Sequence, residues 1–75
     1  MNKKDYDEIA KVLNNRLKFY KKNEKSNLSY NKGDIFMAEE YTTFALMDLF
    51  SDSKLFNKEK FRKQVYEGIN NEKNI

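Results

Sequence analysis

Cysteine, histidine, proline and tryptophan are absent from this sequence, and glycine occurs only at Gly33 and Gly68. Without Cys and His there can be no disulfide, no thiolate or imidazole zinc site, and no thiol or imidazole catalysis. Without Pro, and with two Gly, the punctuation of a many-stranded fold is missing and two breakpoints between helices remain. No apolar run approaches the ~18 residues of a membrane helix. The opening Met1-Asn2-Lys3-Lys4-Asp5 leads into an amphipathic stretch and not into an apolar signal core, so neither a membrane span nor secretion is expected.

What is present is charge and aromatic rings. Charged residues make up 36% of the chain, which argues for solubility, and aromatics 15%, which argues against simple disorder. Seventy-five residues make one domain, and a chain of this size buries only about 60% of the surface its unfolded form exposes. The net charge of +3 is unevenly spread. Residues 1–25 carry eight Lys/Arg against four Asp/Glu, residues 26–53 one against five, and residues 54–75 six against three. An acidic middle between basic ends reads most simply as intramolecular complementarity, with a nucleic-acid footprint as the second reading.

Apolar spacing predicts an all-α fold, a small three-helix bundle with helix two at its centre. In the first helix, residues 3–22, Tyr6, Ile9, Ala10, Leu13, Leu17 and Tyr20 fall within one arc of roughly 100°. Asn2 is positioned to cap it, with Asp5, Asp7 and Glu8 near the positive end of the helix dipole and Lys18, Lys21 and Lys22 near the negative end. Residues 23–33 have no period and read as a loop, with Leu28 and Tyr30 expected to tuck against the core. A second helix is expected over 34–50, capped by Asp34. Asn57 caps a third over 58–67, with Phe56 and Phe61 spaced as a hydrophobic staple and Gly68 as a left-handed stop on which Ile69 folds back. The single domain therefore covers 1–69, followed by a frayed tail over 70–75.

The second helix is apolar nearly all round and is expected to be buried nearly all round. Ala38, Thr42, Ala45 and Leu49, flanked by Ile35, Tyr41 and Leu46, are assigned to the fold. Phe36, Glu40, Thr43 and Met47, spaced by four, three and four residues, are assigned to a partner-binding strip. On the first helix Val12 and Phe19, one heptad apart with Arg16 between them, extend that strip, and Phe, Met and Arg are enriched at interfaces. The alternative is that the loop over 23–33 covers this side. If the strip is the contact surface, charging Phe36 and Met47 removes binding or dimerisation and leaves the fold intact.

Other chemistry finds little support. Adjacent Glu39 and Glu40 point to different faces, Glu40 and Thr43 read as a solvated pair, and there is no phosphate-cradling loop or calcium loop. No catalytic residue, metal, cofactor or small-molecule substrate is expected. Lys58, Lys60, Arg62 and Lys63 on the third helix are candidate nucleic-acid contacts. Against that reading, the connection before this helix is long for a helix-turn-helix, and only two of fifteen basic residues are Arg, the preferred base-edge reader.

Two segments, Lys3-Lys4-Asp5-Tyr6 with Ile9-Ala10 and Leu13, and Phe56-Asn57-Lys58-Glu59-Lys60-Phe61, resemble small helical proteins encoded by phages and prophages. Gln64, Val65 and Gly68 stand where such proteins often carry a small residue and Cys before Gly. The resemblance implies a setting in the cytoplasm of a bacterial host. It also implies a mode of action, the occupation of a surface on a host protein, including defence complexes such as CRISPR effectors. The expected function is thus a non-enzymatic protein-binding module, a stoichiometric inhibitor of a host protein that also self-associates as a homodimer. The alternative is a small DNA- or RNA-binding regulator using the third helix.

Overall fold

The computed structural model describes residues 1–22 and 32–69, and three helices account for most of them: α1 (Lys3–Lys22), α2 (Lys32–Phe50) and α3 (Lys58–Tyr66). Among the described residues there is no strand. The expected placements of Leu28, Tyr30 and the 70–75 tail lie outside them.

Local signals set the helix ends. The Asp5 backbone N–H donates to Asn2 Oδ1, and the Asn2 N–H donates back to Asp5 Oδ2, both at 3.0 Å. This reciprocal pair gives the Asn2 N–H a partner and reinforces the Asp5 N–H, which also reaches the Asn2 carbonyl at 3.1 Å. Asn57 caps α3 by accepting from the Lys60 N–H at 3.0 Å. Phe56 and Phe61 close over that cap with their ring centroids 5.2 Å apart. Gly68 follows α3 at φ +75°, and a Cβ there would lie 3.2 Å from Lys18 Cε. The left-handed backbone therefore calls for glycine, whereas the flexible end of Lys18 could move aside. Ile69 then turns back, its N–H bonded to the Tyr66 carbonyl at 3.1 Å and its side chain against the core. The start of α2 falls earlier than expected, at Lys32, so Asp34 lies in the first turn and not at the cap.

The centre of the bundle is α1 and not α2. α1 packs along both other helices, whereas α2 and α3 make little contact with each other. The reason lies in the two sides of the α1 stripe. Tyr6, Ala10, Leu13 and Leu17 are buried, and the flanks of the stripe carry groups that reach in opposite directions. On one flank, Asn14 donates both amide hydrogens across to α3, to the Val65 carbonyl at 2.7 Å and the Glu67 carbonyl at 2.8 Å. On the other, Arg16 pairs with Glu39 of α2.

A cluster of four rings ties the ends of all three helices. Tyr6 lies 5.0 Å from both Phe50 and Phe56, Phe50 lies 5.5 Å from Phe56 and 6.0 Å from Phe61, and all contacts are tilted or edge-on. The segment between α2 and α3 is folded as turns, with Ser53 N–H on the Phe50 carbonyl at 2.9 Å and Phe56 N–H on the Ser53 carbonyl at 3.2 Å.

Two substitutions separate local from tertiary contributions. Asn57→Ala should lower stability by about 1 kcal/mol through the lost cap. Asn14→Ala should cost more, about 2 to 3 kcal/mol, because it strips two α3 carbonyls of their donor in a buried place. Urea midpoints of the two variants check the order, and equal losses would contradict it.

Candidate partner-binding surface

The structure exchanges the two sides of α2 assigned from spacing. Thr43 is 0% exposed and Met47 3%, while Phe36 is half-buried against the core and Glu40 is half-buried beside α3. Of the proposed strip, then, Thr43 and Met47 are buried and offer no partner surface, while Phe36 and Glu40 are half-buried, packed on the core and bonded to Tyr66 respectively. Conversely, Tyr41 is 65% exposed and Leu49 68%, and Ala38, Thr42 and Ala45 are exposed with them. These five residues assigned to the core lie on the outer face, while Ile35 and Leu46, assigned with them, are half-buried and Leu46 packs against the core.

Each polar group on the inner side of α2 has a partner there. Thr43 Oγ1 donates to the Glu39 carbonyl at 2.9 Å, so the buried hydroxyl is satisfied within its own helix. Glu39 takes Arg16, whose pKa is raised above its ordinary value by that hydrogen bond and by the charge of Glu39. The Tyr66 hydroxyl donates to Glu40 Oε2 at 2.7 Å, the one polar tie between α2 and α3 among the bonds described. Lys21 lies over the Phe36 ring, 5.7 Å from its centroid. Among the described residues, cover for the inner side of α2 comes from α1 and α3; the alternative, cover by the loop over 23–33, lies largely outside them. The carboxylates that sequence offered for acid and base work, Glu39 and Glu40, hold these ties.

The α1 part of the proposed strip is on the surface as expected. Val12 is exposed beside Ile9 and Leu46, along the groove between α1 and α2. Arg16 lies over the Tyr20 ring at 5.9 Å, and Phe19 packs edge-on to Tyr20 at 5.2 Å while half its surface stays exposed. The outer face of α2 adds Met37 and Phe44, both exposed, to Ala38, Tyr41, Ala45 and Leu49. Asp48 is the charged residue on this arc.

No family model, curated protein or solved structure matches this chain. The surfaces themselves therefore carry the functional reading.

The basic residues of α3 are exposed but dispersed. Helical period places Lys58 and Arg62 on one flank and Lys60 and Lys63 on the other. Lys60 Nζ is 3.8 Å from Asp7, and Glu59 and Glu67 border the same open trough as Lys60 and Lys63. The cleft beside Tyr6 and Phe61 holds about 100 Å³, below the ~300 Å³ at which small-molecule sites begin. Among the described residues no group of three or more acidic side chains is placed to hold a metal ion.

Sequence spacing missed the outer face because Ala38, Thr42, Ala45 and Leu49 have the same four-three-four spacing as the strip that was chosen. The usable signal was Arg16. A cation on the flank of the α1 stripe calls for an acidic partner on the neighbouring helix, and Glu39 turned inward leaves Leu49 and Tyr41 outside.

Two experiments follow. Burial first, then the Glu40 hydrogen bond and charge, raise the Tyr66 pKa above its ordinary value of 10.0. A raised tyrosine pKa means that the folded protein holds the phenol proton more tightly than the unfolded chain. The stability this contributes is present in full below pH 10 and is lost as pH rises past it. Tyr66→Phe should therefore lower the neutral-pH stability by about 1 kcal/mol and flatten the alkaline loss, as read from thermal midpoints against pH. An unchanged alkaline limb would mean that Tyr66 ionises as readily folded as unfolded. Separately, Met47→Asp should cost about 3 kcal/mol or more by burying an unpaired carboxylate, whereas Leu49→Asp should cost about 0.5 kcal/mol in dilute solution. Comparable losses in the two variants would mean that the outer face is packed after all.

Proposed function

We propose that this chain is a non-enzymatic protein-binding module whose contact surface is the outer face of α2, continued onto α1 at Val12 and Arg16. The single observation that carries the reading is the exposure of Tyr41 and Leu49, at 65% and 68%, on a helix face with one charged residue. Large apolar side chains that gather on one face, in contrast to singly scattered ones, mark surfaces that meet another protein. Tyr and Arg are also the residue types on which binding energy concentrates, and both are at hand. The resemblance to small phage proteins supplies the setting for this reading, a bacterial host in which the chain occupies a surface of a host protein as a stoichiometric inhibitor.

Co-purification from the host at low and high salt, with and without nuclease, tests the proposal. A protein partner held by an apolar face should survive both nuclease and high salt, and should be lost from the Tyr41→Asp/Leu49→Asp double variant while far-ultraviolet circular dichroism stays helical. Retention only at low salt, and only without nuclease, would replace this reading with a phosphate-dominated contact of Lys58, Lys60, Arg62 and Lys63.

A further inference from the structure

We infer that the outer face of α2 pairs with the same face of a second copy of this chain, the two helices meeting about a two-fold axis along Ala38, Thr42, Ala45 and Leu49. The inference rests on the protein-binding reading and names the occupant of its principal surface. Val12 and Arg16, on the flank of α1, stay available for a foreign partner.

Spacing is the first ground. The four residues recur at intervals of four, three and four, the repeat that keeps one seam of a helix facing a neighbouring helix. Two of them are Ala and one is Thr, so two backbones can approach closely, and Leu49 supplies a knob at one end. Thr42 Oγ1 already donates to the Ala38 carbonyl at 3.1 Å, so covering this seam leaves no hydroxyl without a partner.

Charge is the second ground. A face that pairs with its own copy meets every one of its charges again, and like charges brought together cost free energy. With a net charge of +3 and fifteen Lys/Arg in the chain, a patch free of cations is unusual for this sequence. The outer arc of α2 between Ala38 and Leu49 carries no Lys or Arg, and Asp48 is its one charge. It offers a charged foreign surface no complement and offers its own copy little repulsion.

Area is the third ground. α2 is about 28 Å long, and its outer apolar side chains expose on the order of 500 Å². A standard interface covers about 800 Å² on each partner, so this face with its polar margin accounts for most of one side of a dimer. A two-fold axis makes such a contact self-closing, which limits it to two copies. Among the described residues the core of a single chain holds eight buried apolar residues, and pairing adds burial to a domain this small.

Sedimentation equilibrium of the full chain across a concentration series is the test, with Ala45→Glu as the interface variant and Asn15→Glu, at an exposed position of α1 outside the contact surface, as the control. Ala45 is exposed, and Glu is a good helix former, so the substitution leaves the monomer intact. The wild type and Asn15→Glu should approach twice the 9.0 kDa chain mass with rising concentration. Ala45→Glu should weaken dimerisation by about a hundredfold, with the same circular dichroism spectrum at low concentration. Three results would overturn the inference: a wild type that stays monomeric at every concentration, a dimer that survives Ala45→Glu, or loss of helix in Ala45→Glu. A monomeric wild type whose Tyr41→Asp/Leu49→Asp variant still loses a captured protein would remove the second copy and leave the protein-binding reading standing.

Discussion

Four aromatic rings at one end of the molecule decide how its helices are arranged. Tyr6 comes from α1, Phe50 from the last turn of α2, Phe56 from the connecting turn and Phe61 from α3, and each ring touches at least two of the others. Such pairs are individually worth about 0.5 to 1.5 kcal/mol beyond the area they bury. Their geometric effect is larger than that figure suggests. Once Phe50 is committed to the cluster, the 3.6-residue period of α2 carries Met47, Thr43 and Phe36 inward with it, and turns Leu49, Ala45, Tyr41 and Ala38 to solvent.

The rest of the bundle is closed by three polar ties that run between helices. Asn14 supplies donors to the carbonyls at the end of α3, which helix geometry leaves without partners. Tyr66 and Glu40 join α3 to α2, and Arg16 and Glu39 join α1 to α2. Each contributes modestly, and the exposed Arg16 pair least. What they add is specificity of rotation: turning α2 by half a turn would break the Glu39 and Glu40 ties and place both carboxylates on the far side from Arg16 and Tyr66.

This arrangement leaves the molecule with two unlike surfaces. Around α3, basic residues alternate with Glu59, Glu67 and Asp7, the ordinary composition of a solvated face. Around the outer half of α2, large apolar side chains stand exposed with little charge among them. The eight buried apolar residues among those described do not include any from this second face, which is the face to which we assign partner contact.

The elements of the fold were legible in the sequence because they rest on interactions within about four residues: the Asn2 and Asp5 box, the Asn57 cap under the Phe56 and Phe61 staple, the stop at Gly68, and the single stripe of α1. The expected surface residues Val12, Arg16 and Phe19 were legible for a similar reason, since one clear stripe defines its own flank. Two things were not. α2 is apolar on nearly every side, so its own sequence expresses almost no preference between burying Ala38, Thr42, Ala45 and Leu49 or burying Phe36, Glu40, Thr43 and Met47. Nor could spacing reveal that α1 is central, since that depends on Asn14 reaching α3 and Arg16 reaching α2 from opposite flanks. The sequence by itself therefore determined where α1 and α3 begin and end, to within a residue, and where α2 ends, but not where α2 begins. Only the tertiary structure decided which side of α2 is core and which is surface, because that choice is made by partners distant in the chain, namely the ring cluster at Phe50, Arg16 opposite Glu39, and Tyr66 opposite Glu40.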